Sequence, residues 1–64
     1  MNIGENIKRI REAAGLSQTE LAKRVFVTRS MICRLESNTK TPSLLLAKEL
    51  ARVLKCSVDD FLKD

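Results

Sequence analysis

The chain has 64 residues, of which 44% are hydrophobic and 31% charged, and this balance predicts one small globular domain over residues 1–64. It contains no His and no Gly-rich phosphate loop, and no apolar run approaches the ~20 residues of a membrane span. We therefore expect no enzyme activity, no cofactor or metal, and no membrane segment. Two cysteines without a secretory leader predict reduced thiols in the cytoplasm, and the net charge of +4 suits an anionic partner.

The first element is an amphipathic helix. Asn2 is a capping candidate before it, and Gly15 can adopt the left-handed conformation that ends a helix. These signals predict helix 1 over about residues 3–14. The apolar residues of its buried face follow steps of four, three and four: Ile3, Ile7, Ile10 and Ala14.

Two short helices follow. Ser17 and Glu20 form a capping box that starts helix 2, which we expect to end near Val25. Thr28 is the cap of helix 3, and Asn38 can close that helix because Asn tolerates the left-handed region. The connection has only about two residues, so the two helices must cross steeply, as in a helix-turn-helix. Their predicted buried residues are Leu21, Ala22, Val25, Met31, Ile32 and Leu35.

The last part of the chain predicts two more helices after a polar loop at 37–43. Pro42 and Ser43 open helix 4, and Ser57 with Asp60 opens helix 5. No run alternates with period two, so the fold class is all-α with five helices. The predicted core stripe of helix 4 is Leu44, Ala47, Leu50, Ala51 and Leu54.

Two motifs carry a resemblance to a known family. They are Leu-Ser-Gln-x-x-Leu-Ala at 16–22 and Arg-Ser-x-Ile-x-Arg-Leu-Glu at 29–36. In this order the chain, from Ile3 to Leu62, resembles the Cro/cI-type helix-turn-helix regulators, also called the XRE family. The resemblance implies a compact lambda-repressor-like domain that binds DNA as a homodimer, with helix 3 in the major groove. It further implies a transcriptional regulator, most simply a repressor at a palindromic operator.

The same resemblance suggests which residues touch DNA. Gln18 matches the family's phosphate-contacting Gln, and its amide, which we expect to be free, lies beside a helix N-terminus. Arg29 and Arg34 match exposed positions of the reading helix, where a guanidinium can bond O6 and N7 of guanine. Residues 1–40 hold the whole basic excess, although solvated surface residues are the alternative interpretation. The candidate DNA contacts are Gln18, Thr28, Arg29, Ser30, Arg34, Asn38, Lys40 and Thr41.

Two further features come from comparison with the family pattern. Arg11 and Glu36 resemble an internal ion pair between helix 1 and the end of helix 3, with two unrelated surface charges as the alternative. Phe26, Asn38 and Lys55 stand where the family often has Gly. A left-handed conformation at a bulky residue costs about 1–2 kcal/mol, so Phe26 predicts either strain or a different turn.

Helices 4 and 5 carry more apolar residues than one small core needs. We expect a homodimer contact there, with some of these residues, Phe61 above all, serving the core. A protein-interaction module of the same fold, such as an antitoxin, is the second hypothesis. Only two residues follow Leu62, so we expect no wrapping tail, and nothing indicates a small-molecule pocket. The candidate dimer residues are Leu45, Leu46, Val58, Phe61 and Leu62.

Overall fold

The computed structural model describes residues 2–64 and contains four α-helices followed by a short 3-10 helix. No strand occurs within this range, which confirms the all-α class. None of the helices described here has the length and apolar character needed to cross a membrane. The elements are α1 (Ile3–Ala13), α2 (Gln18–Arg24), α3 (Arg29–Glu36), α4 (Leu44–Leu54) and the 3-10 helix (Val58–Phe61).

Every α-helix begins at a polar side chain that accepts a hydrogen bond from the backbone amide three residues later. At α2 the bond is reciprocal, because the Glu20 carboxylate accepts from the backbone N–H of Ser17 at 2.8 Å. That hydrogen bond also lowers the pKa of Glu20. The predicted helix starts are therefore confirmed, and the four caps are Asn2, Ser17, Thr28 and Ser43.

Every α-helix also ends in the same way, at one residue with positive φ. The amide of the next residue bonds the carbonyl five positions earlier, as in Leu16 N to Arg11 O at 3.2 Å and Val27 N to Ala22 O at 3.0 Å. This is the Schellman arrangement, which satisfies the last carbonyls of a helix. Only one of the four positions is a glycine. The four residues and their φ angles are Gly15 (76°), Phe26 (59°), Asn38 (63°) and Lys55 (57°).

The hydrophobic core draws one face from each element, as the helical periodicity predicted. Two predicted core positions are wrong. Ala14 is exposed because it lies beyond the last residue of α1. Leu44 is 68% exposed because it is the first residue of α4 and lies at an open groove. The largest fully buried side chains are Ile7, Leu21, Ile32, Leu35, Leu50 and Phe61.

The predicted fifth helix is wrong in type, since Val58–Phe61 forms a single 3-10 turn. Four residues cannot offset the cost of nucleating an α-helix, and short segments take the tighter 3-10 form. The turn is held at both ends. Asp60 accepts from the backbone N–H of Ser57 at 3.0 Å, and this bond together with the ion pair to Lys63 lowers the pKa of Asp60 to about 2. The buried Asn6 amide donates to the carbonyls of Phe61 at 2.9 Å and Lys63 at 2.6 Å.

Candidate nucleic-acid interface

The helix α3 has one buried face and one exposed face. Ile32 and Leu35 are 0% and 1% exposed and belong to the core, with α1 and α2 packed against this helix. The opposite side presents Arg29, Ser30 and Arg34, all exposed, which we call the reading face. Because the core contacts fix the buried side, the reading face is held at the surface of a rigid element, as recognition of a base sequence requires.

A buried ion pair fixes the C-terminal end of α3. The guanidinium of Arg11 donates to Glu36 through Nε at 2.6 Å and through a terminal nitrogen at 3.1 Å, so the pair is bidentate. Arg11 also donates to the carbonyl of Leu16 at 2.8 Å. The hydrogen bond to Glu36 raises the pKa of Arg11 against the opposing effect of burial. Glu36 therefore joins α3 to α1, in the geometry that the sequence suggested.

Gln18 lies at the first position of α2 and is half-buried. Its amide nitrogen donates to the Glu36 carboxylate at 3.0 Å, so the expectation that this amide is free is wrong. The charged oxygen of Glu36 is a better acceptor than water for this nearby N–H group. Gln18 thus joins the start of α2 to the end of α3.

Asn38 also differs from the expectation of a side chain directed only at phosphate. Its Oδ1 accepts from the backbone N–H of Gly4 at 2.9 Å, and its Nδ2 donates to Oδ1 of Asn2 at 2.7 Å. The side chain therefore contacts the N-terminal turn of α1. Sequence reasoning missed Gly4, which lets the backbone of α1 approach the end of α3 closely. A Cβ at this position would clash with the carbonyl of Leu35 and lie 2.6 Å from that of Glu36. No periodicity or motif could have revealed this close approach.

The loop after α3 carries the remaining candidates. Lys40 and Thr41 are exposed, and the backbone amides of Thr39 and Lys40 both bond the carbonyl of Arg34, at 3.0 and 3.2 Å. The loop therefore folds back on the end of α3. Between residues 28 and 43 the only carboxylate is Glu36, which Arg11 neutralises. The reading face and this loop therefore form a stretch of uncompensated positive charge.

A second surface is apolar and lies at the start of α4 and the 3-10 helix. Leu44, Leu45 and Leu62 are 68%, 74% and 40% exposed, and Leu44 and Leu62 line an open groove of about 290 Å³. Phe61 is only 1% exposed and its ring fills the core, as expected above all for this residue, so it offers almost no surface to a dimer contact. Leu46 and Val58 are half-buried against the core. We call the surface formed by Leu44, Leu45, Val58 and Leu62 the apolar face.

Comparisons with known proteins agree with this geometry. Residues 7–61 match the model of a helix-turn-helix family. An uncharacterized HTH-type transcriptional regulator of Methanothermobacter thermautotrophicus is 50% identical over 48 residues, which are 75% of this chain and 70% of the relative.

Two solved structures have a similar fold. SinR, the master regulator for biofilm formation, in complex with DNA, is 35% identical with a TM-score of 0.88 over 95% of this chain and 98% of that chain. The DNA-binding domain of the P22 c2 repressor is 30% identical with a TM-score of 0.92 over 98% of this chain and 83% of that chain. The chain therefore has the all-α, lambda-repressor-like helix-turn-helix fold, built from four helices and a 3-10 turn.

Proposed function

This chain belongs to the Cro/cI-type helix-turn-helix family, whose members regulate transcription rather than catalyse reactions, and from that premise we propose that it is a sequence-specific DNA-binding regulator. Residues 1–64 then form one DNA-binding domain. A regulator acts in the compartment that holds its DNA, and we propose the cytoplasm as that compartment.

The observation that carries the proposal is the reading face on a helix fixed at both ends. Arg29 and Ser30 follow the Thr28 cap, and Arg34 lies more than one turn further along the same exposed side. A helix that enters the major groove by its N-terminal end brings such residues to successive base pairs. Arginine then supplies two parallel hydrogen bonds to guanine, which is the commonest base-specific contact.

The other candidates divide by what they can contact. Lys40 and Thr41 lie on the loop that folds back against α3, where they suit phosphate rather than bases. Gln18 retains its place at the start of α2, the helix that crosses the DNA backbone in this motif. The solved complex of SinR with DNA supports the same partner for this chain.

The domain is too small to select a site alone. One module of this size buries about 600–1,000 Å² against DNA and reads few base pairs. Two copies related by a two-fold axis read two half-sites, and the apolar face offers the contact between them. The simplest regulatory outcome of binding such a palindrome is repression, because the bound dimer blocks the operator.

Selection of bound duplexes from random DNA, at a recorded salt concentration, tests this function. We expect enrichment of a short palindrome whose half-sites contain guanine. Equal recovery of all sequences would contradict it and would favour the alternative, a protein-interaction module such as an antitoxin with the apolar face as its binding surface.

A further inference from the structure

Three of the four residues that end the α-helices in the left-handed region are not glycine, and they differ in what their side chains do. Phe26 is 89% exposed. Asn38, in contrast, makes two hydrogen bonds to a segment 34 and 36 residues away. Its side chain therefore has a task that a glycine at the same position could not perform.

The contacts of Asn38 satisfy the start of α1. The first amides of a helix have no partner within the helix. Asn2 accepts from Glu5 N at 3.2 Å, and Asn38 accepts from Gly4 N at 2.9 Å. The two Asn side chains then bond each other at 2.7 Å. We call this group, Asn2, Gly4 and Asn38, the asparagine joint.

The joint is positioned where it can affect DNA binding. Asn38 lies two residues after the end of α3 and two residues before Lys40. Because Gly4 has no side chain, the backbone of α1 touches the carbonyls of Leu35 and Glu36. The joint thus ties the end of the reading helix and the start of the phosphate-contacting loop to α1.

From this geometry we propose that Asn38 is a positioning residue for DNA binding: it holds the loop that carries Lys40 and Thr41 in its bound orientation by capping α1. This rests on the proposed function and deepens it. An ordered loop loses less conformational freedom when it meets phosphate, so the joint raises affinity for all sequences alike. Asn38 carries no charge, so it contributes nothing to counterion release.

The test measures the affinity of the wild type, Asn38→Gly, Asn2→Ala and the double variant for the preferred duplex at several salt concentrations. Glycine keeps the left-handed turn and removes only the side chain. All measurements are made well below each melting temperature, where a loss of stability alone leaves affinity unchanged. We expect each single variant to bind about 3- to 10-fold more weakly with the wild-type salt slope, because a loop that is no longer held must be ordered when it binds. The double variant should bind no more weakly than Asn38→Gly.

Two results would overturn the inference. Wild-type affinity in both single variants would make the joint merely stabilising. Weak binding by Asn38→Gly together with wild-type binding by Asn2→Ala would mean that Asn38 touches DNA itself. A wild type that binds no duplex would instead contradict the proposed function, and the inference would fall with it.

Discussion

Phe26 has a backbone conformation that bulky residues rarely adopt, and its side chain gains little in return. Its φ is 59° and its side chain is 89% exposed. The position is fixed by the Schellman end of α2, where the amide of Val27 bonds Ala22 O. The sequence showed that Phe stands where Gly is usual, and left open whether the turn would differ. The structure has the usual left-handed turn at this position, so the backbone of Phe26 is strained.

We predict that Phe26→Gly stabilises the domain. Removing the left-handed strain of a bulky residue raises the free energy of unfolding by about 1–2 kcal/mol. The added freedom of Gly in the unfolded chain lowers it again by about 0.5–1 kcal/mol. The melting temperature should rise by a few degrees in a domain of this size. Lys55→Gly, at the exposed left-handed end of α4, should shift in the same direction. A clear fall in melting temperature for Phe26→Gly would show that its ring makes a stabilising contact.

The helices themselves were largely readable from the sequence, because their starts and ends depend on local chemistry. Side-chain caps and left-handed ends lie within a few residues of the backbone groups that they bond. The capping roles of Ser17 and Thr28 and the helix-ending role of Gly15 could therefore be predicted from the sequence. Contacts between distant segments were less readable. Arg11 and Glu36 were found through a resemblance, whereas the joint of Asn38 with Gly4 depends on a close approach that no local pattern encodes.

At the scale of elements, we predict that Gly4→Ala destabilises the domain strongly. The added methyl meets two backbone carbonyls of α3, which cannot move without separating that helix from α1. Overpacking of this kind typically costs about 1–3 kcal/mol, a large share of the stability of so small a domain. Gly15→Ala is the matched control, because its site has open space and its cost is only the left-handed conformation, about 1 kcal/mol. Equal melting temperatures for the two variants would contradict this explanation.

On the scale of the whole molecule, we propose separate tasks for the two surfaces: the reading face contacts DNA and the apolar face contacts a second copy. The largest dimension of the domain is 26 Å, so a touching pair of copies is long enough to reach half-sites ~34–36 Å apart. The sequence identified the surplus of apolar residues on the last two elements and assigned Phe61 above all to the core, where it lies. Leu44, predicted as core, lies at the surface instead, because the groove between the elements stays open.

We predict that two chains bind each palindrome and that Leu45→Asp weakens this assembly. Leu45 is 74% exposed, so the substitution should leave the fold intact while placing a charge in the apolar face. Sedimentation with the full duplex should show two wild-type chains per site. Phe26→Gly, which removes an exposed apolar side chain outside that face, should retain this stoichiometry. A stable complex of one wild-type chain on the full site would contradict the dimer.

The most direct test of DNA reading by α3 is the ratio of affinities for the preferred and a scrambled duplex, measured at two salt concentrations. For Arg29→Ala and Arg34→Ala we predict a loss of about 1–3 kcal/mol on the preferred site and relaxed preference at one base position each. Lys40→Ala should weaken both duplexes alike and lower the salt slope by about one, leaving the ratio unchanged. None of these exposed side chains supports the core, so all three variants should stay folded. Wild-type ratios in both arginine variants would show that α3 does not read DNA.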